Sequence, residues 1–511
     1  MTLLKIIPKL GLLICSLCIS LFISLLGLGS YKLSPQVFNQ TIIDAQHQAL
    51  LKPALYGMMN KEYSNSIAFI SDFNQAFKGV NNDLKSKPQW DKVIYTDYSY
   101  LITKHSAFGF VKNHRTLLFY LCFILSAFGA LMMMVSELFL DPIPGIKNKN
   151  IFKTKNTSKG LVAFLFSAAL ILFYIFLYKA PAYLSNWILL VDDFSMAISG
   201  AEASQWFLYG FIYCLVMLTM GVKMYIKYRN NNYQLLRTTS VLFFQIVFAF
   251  LIPNILTKLQ MPAVDFKNMW PLDYSFFFDY RINSLISEGL FGYWLLAWGI
   301  FLFVVGVPIM VYFFGKRWYC SWVCGCGGLA ETLGDPFRQL SDKSLKAWKY
   351  ERFIVNGVLV FAIVTTIAVL YSFFTGNSKL LGMDTYFIRE HYAFFIGFIF
   401  AGAIGTGFYP IFGSRVWCRF GCPLAAYLGL VQRFKSRFRI TTNGAQCISC
   451  GNCSTYCEMG IDVRAYAQKG ENIIRSSCVG CGICAAVCPR GVLKLENLSE
   501  STRFESYPPQ Q

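Results

Sequence analysis

The stretch Cys447-Ile-Ser-Cys450-Gly-Asn-Cys453-Ser-Thr-Tyr-Cys457 is followed, about twenty residues on, by Cys478-Val-Gly-Cys481-Gly-Ile-Cys484-Ala-Ala-Val-Cys488-Pro489. Three cysteines two residues apart, on a tight glycine-bearing loop, direct three thiolates at one cubane cluster. The same loop cannot close around the cluster, so the fourth thiolate must come from elsewhere. Zinc sites usually pair two C-x2-C units at longer separation, and a disulfide knot is the other alternative. The doubled spacing therefore predicts two [4Fe–4S] clusters.

The doubled run resembles the two-cluster bacterial ferredoxins, in which the fourth ligand of each cluster comes from the other run. This resemblance implies that Cys447, Cys450, Cys453 and Cys488 hold one cluster, and that Cys478, Cys481, Cys484 and Cys457 hold the other. It predicts a small C-terminal α+β ferredoxin-like domain over residues 441–495, followed by a tail, 496–511. One departure is Glu458, which follows Cys457 where the second run has a proline that would stiffen the turn.

The composition of the whole chain is that of a polytopic, all-α membrane protein. Hydrophobic residues make up 55% of the 511 residues and charged residues only 14%, against about 25% charged in soluble proteins. The formal net charge is +19, but the charges fall in loops between apolar spans, which argues against nucleic acid as a partner and for the positive-inside rule. Thirteen of the seventeen cysteines follow residue 319, which suits cluster ligation in a reducing compartment.

Eight apolar stretches are long enough to cross a bilayer of about 30 Å. The first is predicted as a retained N-terminal anchor over residues 1–30, although a cleaved signal peptide is the rival interpretation. The predicted spans are 10–30, 116–139, 161–180, 205–226, 238–258, 291–314, 352–373 and 392–412. The predicted domains are the anchor, an extracytoplasmic domain at 31–115, spans 2–5 with their loops at 116–290, and a duplicated module at 291–440.

The charges of the loops predict the orientation in the cytoplasmic membrane. Loop 141–160 carries five lysines and loop 223–237 four basic residues, whereas loop 181–204 carries acidic residues only. The positive-inside rule then places both termini and the ferredoxin-like domain in the cytoplasm, and residues 31–115 outside.

Two short motifs, 98 residues apart, each follow a span directly. They read Gly315-Lys-Arg317-Trp-Tyr-Cys320-Ser-Trp-Val-Cys324 and Gly413-Ser-Arg415-Val-Trp-Cys418-Arg-Phe-Gly-Cys422. Cysteines four apart lie on one face of a helix, so we expect two such faces to offer four sulfurs at the membrane edge. A third iron–sulfur cluster on Cys320, Cys324, Cys418 and Cys422 is the preferred interpretation, with Arg317 and Arg415 tuning its charge and Cys326 as a spare ligand. Buried free cysteines and a thiol–disulfide pair are the alternatives.

With these motifs in this order, residues 290–495 resemble the membrane-bound polyferredoxins related to NapH, NosR and CcoG. The resemblance implies electron transfer at the cytoplasmic membrane, often to or from the quinone pool, in respiration or in metal reduction during oxidase assembly. The chain departs from that family in three respects. Gly325-Cys326-Gly327 replaces the proline of the first motif, residues 31–115 carry no flavin-attachment pattern, and the N-terminal spans are additional.

The sequence lacks the residues that a membrane haem would need, and it indicates no definite quinone site. None of the four histidines lies inside a predicted span, so a bis-histidine haem is not expected. A quinone is the natural mobile carrier, but its site is not predicted; Arg389-Glu390-His391 and Asp279-Tyr280-Arg281 are weak candidates that ordinary interfacial anchoring also explains.

The function predicted from the sequence is that of a membrane iron–sulfur protein. It would pass single electrons between the quinone pool, or a cytoplasmic donor, and a partner redox protein such as a reductase. A maturation factor that reduces metal for a respiratory metalloenzyme is the first alternative. A redox-sensing regulator that signals through residues 31–115 is the second.

Overall fold

The computed structural model describes residues 2–87, 92–138, 160–434, 436–443 and 446–497. Two compact units divide the chain. The first comprises Met1–Ser136, Ile175–Leu215 and Thr257–Leu259, and the second comprises Glu137–Tyr174, Val216–Leu256 and Gln260–Gln511. Most of the predicted loop 141–160, including its lysines, lies outside the described residues.

Within the described residues, eight helices are long and apolar enough to cross a membrane, and they confirm the predicted fold class of a multi-pass helical protein. Spans 1 to 8 are Ile6–Ser24, Arg115–Met134, Leu161–Lys179, Gln205–Tyr228, Asn232–Lys258, Leu290–Phe314, Leu345–Thr375 and Thr385–Gly407. Four of these contain wider π-type turns, at Tyr120–Ile124, Phe244–Leu251, Leu302–Gly306 and Ala393–Ile404.

Spans 5, 7 and 8 begin six or seven residues before the predicted boundaries because polar capping residues start the helices ahead of their apolar runs. The side chain of Asn231 accepts a hydrogen bond from the Gln234 amide, that of Ser344 from the Ala347 amide, and that of Asp384 from the Tyr386 amide. Each cap satisfies a backbone donor that the first turn leaves unpaired. Hydropathy alone does not register such polar first turns.

The first unit contains a small domain with its own apolar core. Its helices outside the spans are Pro35–Thr41, Ala45–Ala54, Ser66–Ser86, Ser99–Ser106, Phe110–Asn113, Ser185–Leu190 and Asp192–Ser199. Strands β1 (Ser30–Lys32), β2 (Glu62–Tyr63) and β3 (Ala107–Phe108) form an antiparallel sheet in the order β2-β1-β3. Ala182 and Leu189 also belong to this core, so the domain draws on more of the chain than residues 31–115.

The second unit contains the cysteine motifs and the C-terminal domain. Its helices outside the spans are Asp279–Ser287, Arg317–Cys320, Gly325–Glu331, Asp335–Leu340, Tyr409–Phe412, Trp417–Gly421, Pro423–Phe434, Asn452–Thr455, Val463–Lys469 and Ile483–Ala486. Strands β4 (Lys379–Leu380) and β5 (Met383–Asp384) form a hairpin between spans 7 and 8.

The first and last strands of the C-terminal domain pair with each other. Strand β6 (Phe438–Thr442) pairs antiparallel with β7 (Leu493–Asn497), with Phe438 opposite Asn497 and Thr442 opposite Leu493. Both cysteine runs lie between these two strands. One continuous apolar core of buried residues extends from Val307 in span 6 through the CxxxC motifs to Leu493, so the domain is packed onto the span ends rather than tethered to them.

Candidate metal centres

The first set of predicted ligands surrounds a common pocket. Cys447, Cys450, Cys453 and Cys488 all line it, together with Arg464 and Pro489. Cys450 is exposed, whereas Cys453 is buried. The structure thus places Cys488, the ligand predicted from the second run, beside the three cysteines of the first run. The pocket that they line opens to solvent.

The second predicted set is also assembled across the two runs. Burial raises the pKa of the Cys484 thiol, and the neighbouring thiols Cys481, Cys478 and Cys457 raise it further. Cys453 of the first set contributes as well, so the two sets are neighbours. In contrast to the first set, Cys478 and Cys484 are both buried.

The two runs share one loop conformation, which explains their glycines. Gly451 and Gly482 have φ of 80° and 75°, and the positions two residues earlier, Ser449 and Gly480, have φ of 57° and 62°. At Gly480 a β-carbon would lie 2.7 Å from the β-carbon of Arg317. Only glycine meets both demands there, a left-handed backbone and a close neighbour.

The paired CxxxC motifs meet, as the sequence predicts. Burial raises the pKa of the Cys422 thiol, and the neighbouring thiols Cys418, Cys324 and Cys320 raise it further. Cys326 joins the group, since its thiol hydrogen-bonds to Cys324. Five thiols therefore surround one place, called here the CxxxC site: Cys320, Cys324, Cys326, Cys418 and Cys422.

The expectation that each pair of cysteines lies on one helical face is wrong. Cys320 ends the helix Arg317–Cys320, and Cys324 is extended at φ −69° and ψ 132°. Cys422 is likewise extended, at φ −89° and ψ 110°. Proline disfavours helical geometry in the residue before it, and Pro423 follows Cys422. The sulfurs converge through sharp turns that start new helices.

These turns carry the second cysteine of each motif back along the spans, so the site is deeper than the expected membrane edge. Gln245, inside span 5, donates a hydrogen bond of 2.5 Å to the carbonyl of Val323, next to Cys324. Tyr427 donates one of 2.8 Å to the carbonyl of Phe303, in the middle of span 6. Tyr427 is little more than one turn from Cys422. Both motifs therefore form re-entrant turns.

The donor chemistry at these sites fits iron–sulfur clusters. The Ala425 amide donates to the Cys422 sulfur over 3.3 Å, and the Ile461 amide donates to the Cys457 sulfur over 3.4 Å. Hydrogen bonds to sulfur are one of the means by which proteins tune such clusters. Burial raises the pKa of the Cys320 thiol to about 12 and also raises the pKa values of Cys418 and Cys422, so these three thiols would be neutral without a metal that holds them ionised. The pKa of the Cys324 thiol is lowered to about 6, chiefly by the hydrogen bond with Cys326.

A single-ion site and a cubane differ in the spacing of their ligands. The four ligands of a cubane bind four different irons, so they stand farther apart than the ligands of a single zinc ion. Among the residues that the structure describes, no three Cys, His, Asp or Glu side chains are arranged to hold one metal ion.

The two arginines at matched positions have different surroundings. Arg415 donates to the carbonyl of Cys320 over 3.2 Å and approaches the Cys418 sulfur to 3.7 Å. Arg317 instead donates to Phe314 and Asn497 and lies over the ring of Phe438 at 4.5 Å. The structure therefore brings Arg415 to the CxxxC site and Arg317 to the loop around Gly480.

A buried network of ion pairs, which the sequence did not suggest, connects the CxxxC site with the second cysteine run. Glu331 accepts from Arg415 at 2.6 Å and pairs with Arg237 at 2.8 Å. Arg237 donates to the carbonyl of Cys481 over 2.7 Å. Glu458 pairs with Arg338 at 2.6 Å and with Arg415 at 2.9 Å. These contacts form a continuous polar path from Cys418 to Cys481.

The network keeps one of its two glutamates ionised. Burial alone would raise the pKa of Glu458, but Arg338 and Arg415 outweigh it and hold the pKa below its usual value. Burial raises the pKa of Glu331 to about 7 despite its arginine partners, and Glu458 contributes to that rise. The opposite shifts follow from two carboxylates that share Arg415.

The weak quinone candidates come together, but away from the cysteines. Arg389 pairs with Asp279 at 2.9 Å, and both line a pocket with Tyr386 and Ser372. Ser372 lies in span 7, and Glu351, near the other end of that span, pairs at 3.0 Å with Arg419, next to Cys418. Twenty-one residues of helix separate Ser372 from Glu351, about 30 Å at 1.5 Å per residue. This pocket is therefore farther along the spans than the CxxxC site.

Comparison with known proteins identifies iron–sulfur domains in the chain. A model described as "4Fe-4S dicluster domain" matches residues 439–489, and one described as "4Fe-4S binding domain" matches twice, at residues 296–344 and 392–441. The two segments of the second match contain the two CxxxC motifs. The chain is thus a membrane protein with ferredoxin-type 4Fe-4S domains.

A curated relative is named as an electron transport protein. The chain is 28% identical over 162 residues to the protein named "Putative electron transport protein YccM" from Escherichia coli (strain K12). The alignment covers 29% of this chain and 43% of that relative, so the chain spans less than half the length of the relative it matches. No solved structure matches this chain. Membership of the group around NapH, NosR and CcoG stays a prediction.

Proposed function

We propose that this protein passes single electrons through three [4Fe–4S] clusters between a membrane quinone and a partner redox protein. The CxxxC site would hold the innermost cluster on Cys320, Cys324, Cys418 and Cys422. The cluster of Cys478, Cys481, Cys484 and Cys457 would follow, and that of Cys447, Cys450, Cys453 and Cys488 would be the exit to solvent.

The observation that carries this order is the path from the CxxxC site to the second run. Ser321, next to Cys320, donates a hydrogen bond of 2.7 Å to the carbonyl of Val479, next to Cys478. Cys484 in turn interacts with Cys453 of the first set. Neighbouring clusters in a row suit single-electron transfer, because the redox chemistry belongs to the clusters and the protein supplies position and electrostatics.

The exposure of the cysteines supports the direction of the path from membrane to solvent. Cys320 and Cys422 are buried beside the spans, whereas Cys450 is exposed. A soluble partner would therefore exchange electrons at the face around Cys450. We further propose that this face is cytoplasmic, on the basis of the basic loops. Part of that charge, at Lys227 and Arg237, is buried in ion pairs rather than free at the surface.

Anaerobic purification with iron and acid-labile sulfide analysis tests the proposal. Three [4Fe–4S] clusters predict about twelve irons and as many sulfides per chain. Electron paramagnetic resonance of the reduced protein should show spin coupling between neighbouring clusters. Stoichiometric zinc without labile sulfide would contradict the proposal.

The fifth thiol at the CxxxC site favours one alternative, a maturation factor that handles a soft metal. Cys326 is hydrogen-bonded to Cys324, and a four-ligand cluster leaves one of the two spare. Thiolates are preferred ligands of Cu(I). Cu(I) bound by the purified protein, and lost in Cys326→Ser with iron unchanged, would support this function.

A further inference from the structure

The connection between spans 5 and 6 does not stay at the span ends. Trp270 donates a hydrogen bond of 2.9 Å to the Thr366 hydroxyl inside span 7, and its ring is 5.1 Å from that of Phe303 in span 6. Phe303 is thirteen residues from Leu290, the start of span 6, or about 20 Å along the helix. Segment 260–278 therefore descends between the spans to about half their length. Irregular backbone at such depth is tolerated where it is enclosed by protein or lines a polar cavity.

This segment carries an ion pair. The Lys267 ammonium lies 2.5 Å from the Asp265 carboxylate, and their side chains are 9% and 23% exposed. Charged groups at membrane depth are costly, and they mark sites of substrate, ion or proton handling.

The ion pair lies beside the CxxxC site. Met269 belongs to the same buried core as Cys320 and Cys324. The carbonyl of Phe303, whose ring is 5.1 Å from that of Trp270, accepts the hydrogen bond of Tyr427, five residues after Cys422. Segment 260–278, which enters from one end of the spans, thus approaches the CxxxC site, which enters from the other end.

A buried hydroxyl completes the polar surroundings. Tyr392, in span 8, is 0% exposed, and within the described residues its hydroxyl has no hydrogen-bond partner. Its ring lies 4.9 Å from Tyr274 and 5.0 Å from Phe361. A buried hydroxyl without a partner carries an uncompensated desolvation cost, and a ligand oxygen would relieve that cost.

We propose that segment 260–278 and Tyr392 bind the head group of a lipid-soluble quinone or quinol beside the CxxxC site. A quinone offers a planar ring with an oxygen at each end. Lys267 would donate to one oxygen and the Tyr392 hydroxyl would bind the other, while Trp270, Tyr274 and Phe361 supply apolar, aromatic surface. The inference rests on the proposed electron-transfer function and gives it a location, distinct from the pocket of Asp279 and Arg389.

Quinone binding to the purified full-length protein in lipid nanodiscs tests the inference. The probes are decyl-tailed ubiquinone and a short-tailed menaquinone analogue, with quenching of tryptophan fluorescence as the readout. The variant Tyr392→Phe removes only an unpaired hydroxyl, so it should fold normally and bind the probe about tenfold more weakly, as loss of one hydrogen bond of about 1.4 kcal/mol predicts. Lys267→Gln should weaken binding by a similar factor.

Arg389→Gln is the matched control, since it changes the rival pocket and leaves the proposed site alone. Its quinone affinity should equal that of the wild type. Unchanged binding by Tyr392→Phe and Lys267→Gln, weaker binding by Arg389→Gln, or no binding by the wild type would overturn the inference. Iron content is measured on the same samples. Absence of clusters from the wild type would contradict the proposed function, whereas a full set of clusters without this binding pattern would contradict only the site.

Discussion

The Glu458 carboxylate lies 2.9 Å from the Arg415 guanidinium, although the two residues come from different cysteine motifs. Glu458 follows Cys457 of the ferredoxin-like domain, and Arg415 precedes Cys418 of the CxxxC site. The residue that replaces the expected proline after Cys457 is therefore a contact between the two metal-binding modules. Its role is electrostatic, since it is buried among arginines.

The first prediction concerns this contact. Glu458→Gln should destabilise the protein by about 3–5 kcal/mol, because it breaks two buried ion pairs and leaves Arg415 with Glu331 and Arg338 with Asp335 as their remaining countercharges. Loss of the cluster held by Cys457 should accompany it. The measurement is the midpoint of thermal unfolding together with iron content. Glu471→Gln, on an exposed residue of the same domain, serves as the control and should change neither.

The second prediction concerns the CxxxC site. The double variant Cys418→Ser plus Cys422→Ser should lose about four irons, the content of one cubane. The ferredoxin-like domain should keep its two clusters, and quinol should no longer reduce them. Cys214→Ser changes a buried cysteine outside the motifs and should retain all iron. Equal iron in the double variant and the wild type would show that this site holds no cluster.

The third prediction distinguishes the roles of Cys324 and Cys326. Cys324→Ser should lower iron by the same amount as the double variant, since Cys324 is assigned as a ligand. Cys326→Ser should retain the cluster, because four other thiols remain around the site. Loss of iron in Cys326→Ser but not in Cys324→Ser would exchange their roles.

The fourth prediction compares two glycines of the same conformation. Gly480→Ala combines a left-handed backbone with a contact of 2.7 Å to Arg317, so it should displace the loop and lower the occupancy of the second cluster. Gly451→Ala meets no atom within 4 Å and should cost only the backbone strain, of order 1 kcal/mol. Iron analysis and paramagnetic resonance distinguish the two. Equal effects would mean that packing at Arg317 is not what requires glycine.

The fifth prediction concerns orientation. A reporter inserted at Ser64 should be active only outside the cytoplasm, and one fused after Gln511 only inside, because the loop charges favour that arrangement. Reporters on the same side would contradict eight spans. Ser499, an alternative insertion point, lies outside the described residues.

Composition and spacing were sufficient to predict the eight spans and the convergence of the cysteines. Hydropathy identifies a span from its own residues, and a repeat of 98 residues indicates paired motifs. Contacts between residues distant in the chain could not be predicted in this way. Glu331 forms an ion pair with Arg237, which is 94 positions earlier in the sequence. The position of Trp270 between the spans depends on its hydrogen bond to Thr366. Asp265 and Lys267, charged residues between two apolar spans, were the available signal for segment 260–278.

The pairing of β6 with β7 has a consequence for the order in which the protein matures. Phe438 and Asn497 are opposite each other, and each predicted cluster needs a cysteine from both runs. Neither cluster can be completed until the second run has been synthesised and has folded back onto the first. Such non-local closure is slow, because the entropy of the loop is lost before the contacts form. Cluster insertion would then coincide with the final folding step, and a chain short of iron would be left with an open domain rather than a folded, empty one.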